Sequence, residues 1–171
     1  MIITQIVAVS TNNYIGKDYQ LLWTLPNDMR HFKNKTWALP VIMGRKTFYS
    51  LENKPLNGRL NIVITRQNDY SAPGITVVKS IEEAIDYCKK QDFKEIMIIG
   101  GGEIYKQTLP ISNKLFITRV HAELQGDTMY PEINPDEWAL TFEENFDVDA
   151  KHAFAYSFQT WERKGVLRNK L

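Results

Sequence analysis

Cysteine is almost missing from this chain: Cys88 is the only one in 171 residues, so no internal disulfide can form. Its stability must come from a packed core, which suits a reducing compartment. Cys88 shares a helical face with Ile81, Ala84 and Ile85 and reads as a core thiol, because a reactive one wants exposure and nearby positive charge. Histidine is scarce as well. His31, His121 and His152 are scattered, no H-E-x-x-H or Cys/His pairing occurs, and the G-x-S-x-G turn is absent; metal hydrolysis and serine-triad chemistry are therefore not expected, nor is a bound metal. Neither sign of charge is in excess. Twenty-one basic residues against twenty acidic ones leave a net charge of +1, so no global field recruits nucleic acid or an anionic membrane, and any anionic ligand must be met locally. No apolar run approaches the roughly 20 residues of a membrane span. Met1-Ile2-Ile3-Thr4-Gln5 lacks the basic start and long apolar core of a signal peptide, and a cytoplasmic location is the expectation. No Gly/Ser/Pro-rich linker divides the chain, which predicts one domain.

What is present is an alternation. Ile2 to Ser10, Val41 to Gly44, Ile62 to Thr65 and Ile96 to Ile99 are nearly unbroken apolar runs, as strands buried on both faces require. Between them, Pro26 to about Trp37, Arg45 to Leu51, Ile81 to Lys90 and Gly102 to Leu109 carry helical spacings. That order predicts an α/β fold with a parallel sheet and helices on both faces. After residue 110 the pattern changes to strands alone: Leu115 to Val120, then Trp138 to Phe146 and Phe154 to Trp161 as a long antiparallel hairpin at the sheet's edge. Aromatics make up 12% of the chain, but Phe32, Phe48, Phe116, Phe154, Tyr156 and Phe158 fall at strand or helix spacing and read as core rather than a base-stacking platform.

Two strand ends carry chemistry. Ile98-Ile99-Gly100-Gly101-Gly102-Glu103-Ile104-Tyr105 runs from strand through three glycines into a helix, where backbone can approach a ligand and free N–H groups can meet phosphate. Tyr105 stands where the dinucleotide fingerprint has its third glycine, so a tight structural turn is the competing reading. Val41-Ile42-Met43-Gly44-Arg45-Lys46-Thr47-Phe48 repeats the arrangement with two cations in the helix's first turn. Cations there oppose the helix dipole; a bound anion explains them, as does plain solvation. Thr65 and Arg66 close the next strand at the same carboxyl edge, and cations with a hydroxyl suit a 2'-phosphate better than a bare ribose, which favours NADP(H) over NAD. Asp28 is the remaining oddity. Wound from Pro26, it falls between Leu25, Met29 and Phe32, whereas Asn27, Arg30 and His31 point the other way. Either it complements the first-turn dipole, or it lines a cleft and receives a ligand's N–H groups.

Taken in order, Val7-Ala8-Val9 with Asn13-Tyr14-Ile15-Gly16, Trp23-Thr24-Leu25-Pro26-Asn27-Asp28, Pro40 to Phe48, Pro55-Leu56-Asn57-Gly58-Arg59, Ile99 to Tyr105 and Gly126-Asp127-Thr128 resemble the bacterial dihydrofolate reductase family over about residues 1 to 162. Residues 163–171 then form a short charged tail that frays. The resemblance implies an eight-stranded, mostly parallel sheet with four flanking helices, and NADPH-dependent reduction of 7,8-dihydrofolate to tetrahydrofolate for one-carbon metabolism. It implies cofactor contacts at Ala8, Ile15, Gly16, Gly44, Arg45, Lys46, Thr47, Thr65, Arg66, Lys79, Ile99, Gly100, Gly101, Gly102, Glu103, Ile104, Tyr105, Gln107 and Thr128, with a cis peptide from Gly100 to Gly101. The folate site falls on Ile6, Val7, Asp28, Met29, Phe32, Lys33, Leu56, Arg59 and Thr118. Asp28 is the implied pterin anchor, and a water beside Leu21 and Trp23 the implied proton carrier. Asp127 is expected to hold the loop near Gly16. The partners implied are dihydrofolate and antifolate-type inhibitors, on a monomer. Many relatives carry proline where this chain has Leu22, and a small polar stretch in place of Tyr19-Gln20-Leu21. Two rivals are the pyrimidine reductase of riboflavin synthesis, which has less use for Asp28 with Arg59, and an NADP-binding module without turnover.

Overall fold

In the computed structural model, which describes residues 1–165, the apolar runs become the inner strands of one sheet. They are β1 (Ile2–Ser10), β4 (Pro40–Gly44), β5 (Leu60–Ile64), β7 (Glu95–Gly100) and β8 (Lys114–Val120). With β6 (Ile75–Val78), β10 (Trp138–Phe146) and β11 (Tyr156–Arg163), they form an eight-stranded sheet in the order β10-β11-β8-β1-β7-β4-β5-β6. Six neighbouring strands run parallel, while β11 pairs antiparallel with both β8 and β10. The first strand is thus central, and the carboxyl ends of β1, β4, β5, β7 and β8 share one edge, where ligands of open α/β sheets gather.

Two helices cover each face. Ala84 and Cys88 of α3 (Ile81–Lys90) and Ile104 and Tyr105 of α4 (Gly102–Thr108) pack with Val7, Val9 and Ile98. Phe32 of α1 (Pro26–Thr36) and Phe48 of α2 (Arg45–Ser50) pack on the other face with Ile6, Val41 and Met97. Cys88 is fully buried, and burial pushes its thiol up to about 11, the inert state expected. Helix α3 is capped in a way that resembles a capping box: Ser80 Oγ accepts from Glu83 N–H, and the Glu83 carboxylate accepts from the N–H of Lys79, one residue before the cap.

A second, three-stranded sheet was not foreseen. It joins β2 (Tyr14–Lys17), β3 (Gln20–Leu21) and β9 (Thr128–Met129) in the order β3-β2-β9. Asp18 and Tyr19, both at positive φ, make the two-residue turn between Lys17 and Gln20, the backbone a tight hairpin demands. At the other end of the chain, Arg163 is no part of a tail. It closes β11, donates to the carbonyls of Ser112 and Leu109, and lies over the Trp138 ring. The remainder of the expected tail, 166–171, lies outside the described residues.

Candidate functional site

The register of the sheet sets out the first part of the site. Ala8 of β1, Thr118 of β8 and Phe158 of β11 are direct neighbours across three strands. Helix α1 lies over this row. Thr118 donates its hydroxyl to Asp28 Oδ1 at 2.6 Å, and His31, three residues on, stacks on Phe158 at 4.1 Å. This corrects the sequence reading of α1: residues three apart share a helix side, so His31 turns to the sheet with Asp28 instead of away from it. Met29 departs too. It is 64% exposed, outside the buried stripe on which it was expected, whereas Leu25 is buried and Phe32 half-buried. Burial drives the Asp28 carboxyl above its ordinary range, and the Thr118 hydrogen bond pulls partly the other way. A desolvated carboxylate with one protein donor has acceptor capacity to spare, which a ligand's N–H pair would take up.

An apolar wall and a cationic end continue from there. Ile6 is in the core, with Phe32, Leu56 and Ile99 packed against the same cluster. Beyond Leu56 a cavity of about 500 Å³ opens between α1 and the loop after α2, with Lys33, Trp37, Lys54 and Arg59 around it. The Arg59 guanidinium donates to Asn57 O and Thr36 Oγ1, and sits 5.6 Å from the Trp37 ring centroid. Lys33 flanks the same ring. Val7, expected here, puts its side chain into the opposite core with Val9 and Tyr105.

The second part lies at the carboxyl ends of β4, β5 and β7. Helices α2 and α4 start at Gly44 and Gly101 without a side-chain cap, in contrast to α3. Their first N–H groups are thus unclaimed by side chains, and exposed Arg45, Lys46 and Arg66 surround them. Thr65 is buried and its hydroxyl accepts from Gln67 N–H; Lys79 donates to Gln67 O and Asn68. Gly100 has φ +121, and a Cβ there would come 3.1 Å from the Tyr105 ring, so only glycine serves. The Gly100–Gly101 peptide is cis. Gly102 packs close to Thr128, and Gly101 close to Thr47 Oγ1. Unclaimed donors at two helix starts, a tight glycine approach and nearby cations fit a dinucleotide phosphate. Of the other residues expected on this side, Ile104 and Tyr105 are buried, the Tyr105 hydroxyl donating to Ile6 O, while Glu103 and Gln107 pair with each other on the exposed face of α4.

The β2–β3 hairpin carries Ile15, Gly16 and Leu21 and leads directly to Trp23. Asp127 ties it along β2 and at its turn: its N–H donates to Gly16 O, and its carboxylate accepts from Asp18 N–H and Thr128 Oγ1. Those hydrogen bonds, Asp18's first, hold the Asp127 carboxyl below its usual range. At the tip, Tyr19 meets Tyr49 of α2 edge-on at 5.6 Å. Leu22 packs in a cluster with Trp23, Leu25 and Tyr156. Leu21 is 56% exposed, and Trp23 is buried with its indole N–H lacking a protein partner among the described residues. Trp37, Lys54 and the Tyr19–Tyr49 contact were missed in the sequence, since a lone aromatic at a helix end and a lysine in a loop carry no periodic signal.

The dihydrofolate reductase family matches residues 2–163 of this chain. It is 43% identical to the dihydrofolate reductase of Haemophilus influenzae, across 96% of this chain and 100% of that protein. It is 39% identical to the enzyme of Bacillus subtilis, across 95% of each. Among solved structures, dihydrofolate reductase from Enterococcus faecalis complexed with NADP(H) and RAB-propyl superposes with a TM-score of 0.88 at 34% identity, covering 95% of this chain and 96% of that one. Motif order, sheet topology and near-complete coverage agree, and this chain belongs to the dihydrofolate reductase family.

Proposed function

We propose that this chain reduces 7,8-dihydrofolate to tetrahydrofolate with NADPH, working as a cytoplasmic monomer through residues 1 to about 163. The observation that carries the reading is Asp28: a desolvated carboxylate at the start of α1, steadied by Thr118 and facing a cleft with an apolar wall and a cationic end. Every group of that cleft comes from one chain. When bound, NADPH supplies the hydride that goes to C6 of the pterin. The unclaimed N–H groups of α2 and α4, with Arg45, Lys46 and Arg66, would hold the dinucleotide phosphates. The close glycine approach and Ala8 would set the nicotinamide end against the substrate, converting an encounter into an oriented pair.

Asp28 would accept from the pterin's N3–H and 2-amino group. A charge-assisted pair of that kind fixes the ring's orientation and favours positive charge on it, which eases protonation at N5. Because Asp28 holds the far edge, the proton would reach N5 through a water near Leu21 and Trp23, whose indole N–H is free to orient it. Phe32 and Leu56 would pack on the aminobenzoyl part, and Arg59 with Lys33 would take the glutamate carboxylates.

The test is dihydrofolate-dependent loss of the reduced nicotinamide's near-ultraviolet absorbance. Asp28→Asn should lower turnover at pH 7 by roughly two orders of magnitude or more, the size of a lost general-acid or electrostatic contribution, and recover partly in acid, where more substrate is already protonated. Unchanged turnover would remove Asp28 from the reaction.

A further inference from the structure

Helix α1 starts without a local cap. Leu25 offers no side-chain acceptor and Pro26 has no N–H, so Asn27 holds the first donor that needs a partner. The partner comes from the turn of the C-terminal hairpin: Asn27 N–H donates to Nε2 of His152 at 3.1 Å. His152 is 2% exposed. Its Nδ1 lies 2.8 Å from Asp149 Oδ1, an oxygen that also accepts from the backbone N–H groups of Lys151 and His152. A carboxylate facing three donors requires the imidazole proton on Nδ1, which leaves Nε2 a lone pair for Asn27. The Asn27 side chain is anchored to the same hairpin, donating to Tyr156 Oη at 2.8 Å. Asn27 is therefore gripped at backbone and side chain, one residue before Asp28.

We infer that His152 is a positioning residue for dihydrofolate binding: it caps α1 from the hairpin turn and so sets where Asp28 presents its carboxylate beside Thr118. The inference rests on the reading of Asp28 as pterin anchor. Asp149 fixes the tautomer, His152 fixes Asn27, and Asn27 fixes the first turn that carries Asp28. Thr118 belongs to β8 and holds Asp28 from the sheet, so the carboxylate is referenced both to the sheet and to the hairpin. The groups assigned to the dinucleotide phosphates start from α2 and α4, and among the described residues no hydrogen bond joins them to this chain of bonds; only Ala8, beside Thr118 in the sheet, adjoins both sites.

Dihydrofolate and NADPH are titrated separately onto wild type, His152→Phe and His152→Gln. Phenylalanine keeps a ring and removes the acceptor; glutamine restores an acceptor on a flexible stem. His152→Phe should weaken dihydrofolate binding about five- to tenfold, the size of a lost helix cap, and leave NADPH affinity within about twofold. His152→Gln should recover most of the loss. A folded His152→Phe protein that binds dihydrofolate as wild type does, or loses both ligands in parallel, overturns the inference. Should that variant not fold, Asp149→Ala keeps the imidazole and frees its tautomer. It should weaken dihydrofolate alone by about two- to threefold, again less than a whole cap, and no selective loss overturns the inference. Wild-type protein that binds no dihydrofolate refutes the reading of the site instead.

Discussion

As the proposed pterin anchor, Asp28 would serve ligand binding at the expense of the fold. Burial raises its carboxyl above the ordinary range, against the pull of Thr118. A raised native-state value means that the folded chain holds this proton more tightly than the unfolded one. The associated stability is present in acid and is lost as pH rises through the native value. Ionised Asp28 therefore destabilises the ligand-free protein at neutral pH. Asp28→Asn should raise Tm at pH 7, and the gain should vanish below about pH 3, where the carboxyl is protonated in both states; melting curves at the two pH values check this. The position was legible from helical phase because a carboxylate among Leu25 and Phe32 contradicts the pattern around it. Its neighbours were less legible. Met29 lies by phase on the same stripe yet is 64% exposed, at the stripe's edge and outside the core. His31 was assigned away from the sheet, and Phe158 of the hairpin strand with Phe116 of β8, both far along the chain, explain why it is covered.

Elements with long apolar runs or full periodicity were read within a residue or two, because burial on two faces leaves a sequence little freedom. Strand β6 was not, since Ile75, Thr76 and Val77 lie at a half-exposed edge and carry no continuous signal. The small sheet was invisible for a related reason. Strands β3 and β9 have two residues each, too few for a period, and the turn between β2 and β3 uses Asp18 and Tyr19 where glycine or asparagine is the usual sign. The turn of this hairpin has two attachments, Asp18 N–H on Asp127 and Tyr19 on Tyr49. Asp127→Ala removes the first of these, the contact to Asp18 N–H. Stopped-flow measurement should find hydride transfer slowed several-fold and the release of product altered, with the dihydrofolate affinity of the apo protein little changed. A variant with wild-type hydride transfer and release would show that the Tyr19–Tyr49 contact alone keeps the hairpin in place.

For the molecule as a whole, stability against pH passes through His31. Burial, helped by Lys35, lowers its imidazole from 6.5 to about 4. Between those values the unfolded chain takes up a proton that the folded chain refuses. The contribution is complete above pH 6.5 and declines as pH falls toward 4. Urea midpoints should fall across that interval, and His31→Phe, which keeps a ring against Phe158, should flatten the slope. NADPH adds stability in the opposite way, by binding the native state alone; at a hundred times its Kd it should contribute about 2.7 kcal/mol, visible as a concentration-dependent rise in Tm.

The place of β1 has a bearing on biosynthesis. Strand β1, in the middle of the sheet, is made well before its two partners, β7 and β8, which begin at Glu95 and Lys114. At about 5–20 residues per second, the interval between β1 and the completion of its neighbours is roughly 5 to 20 s. Throughout it, a nearly uncharged apolar strand has neither edge paired. The sheet cannot close outward from its beginning; it must wait for its second half, and until then Ile2 to Ser10 is the stretch that a trigger-type chaperone would have most reason to hold.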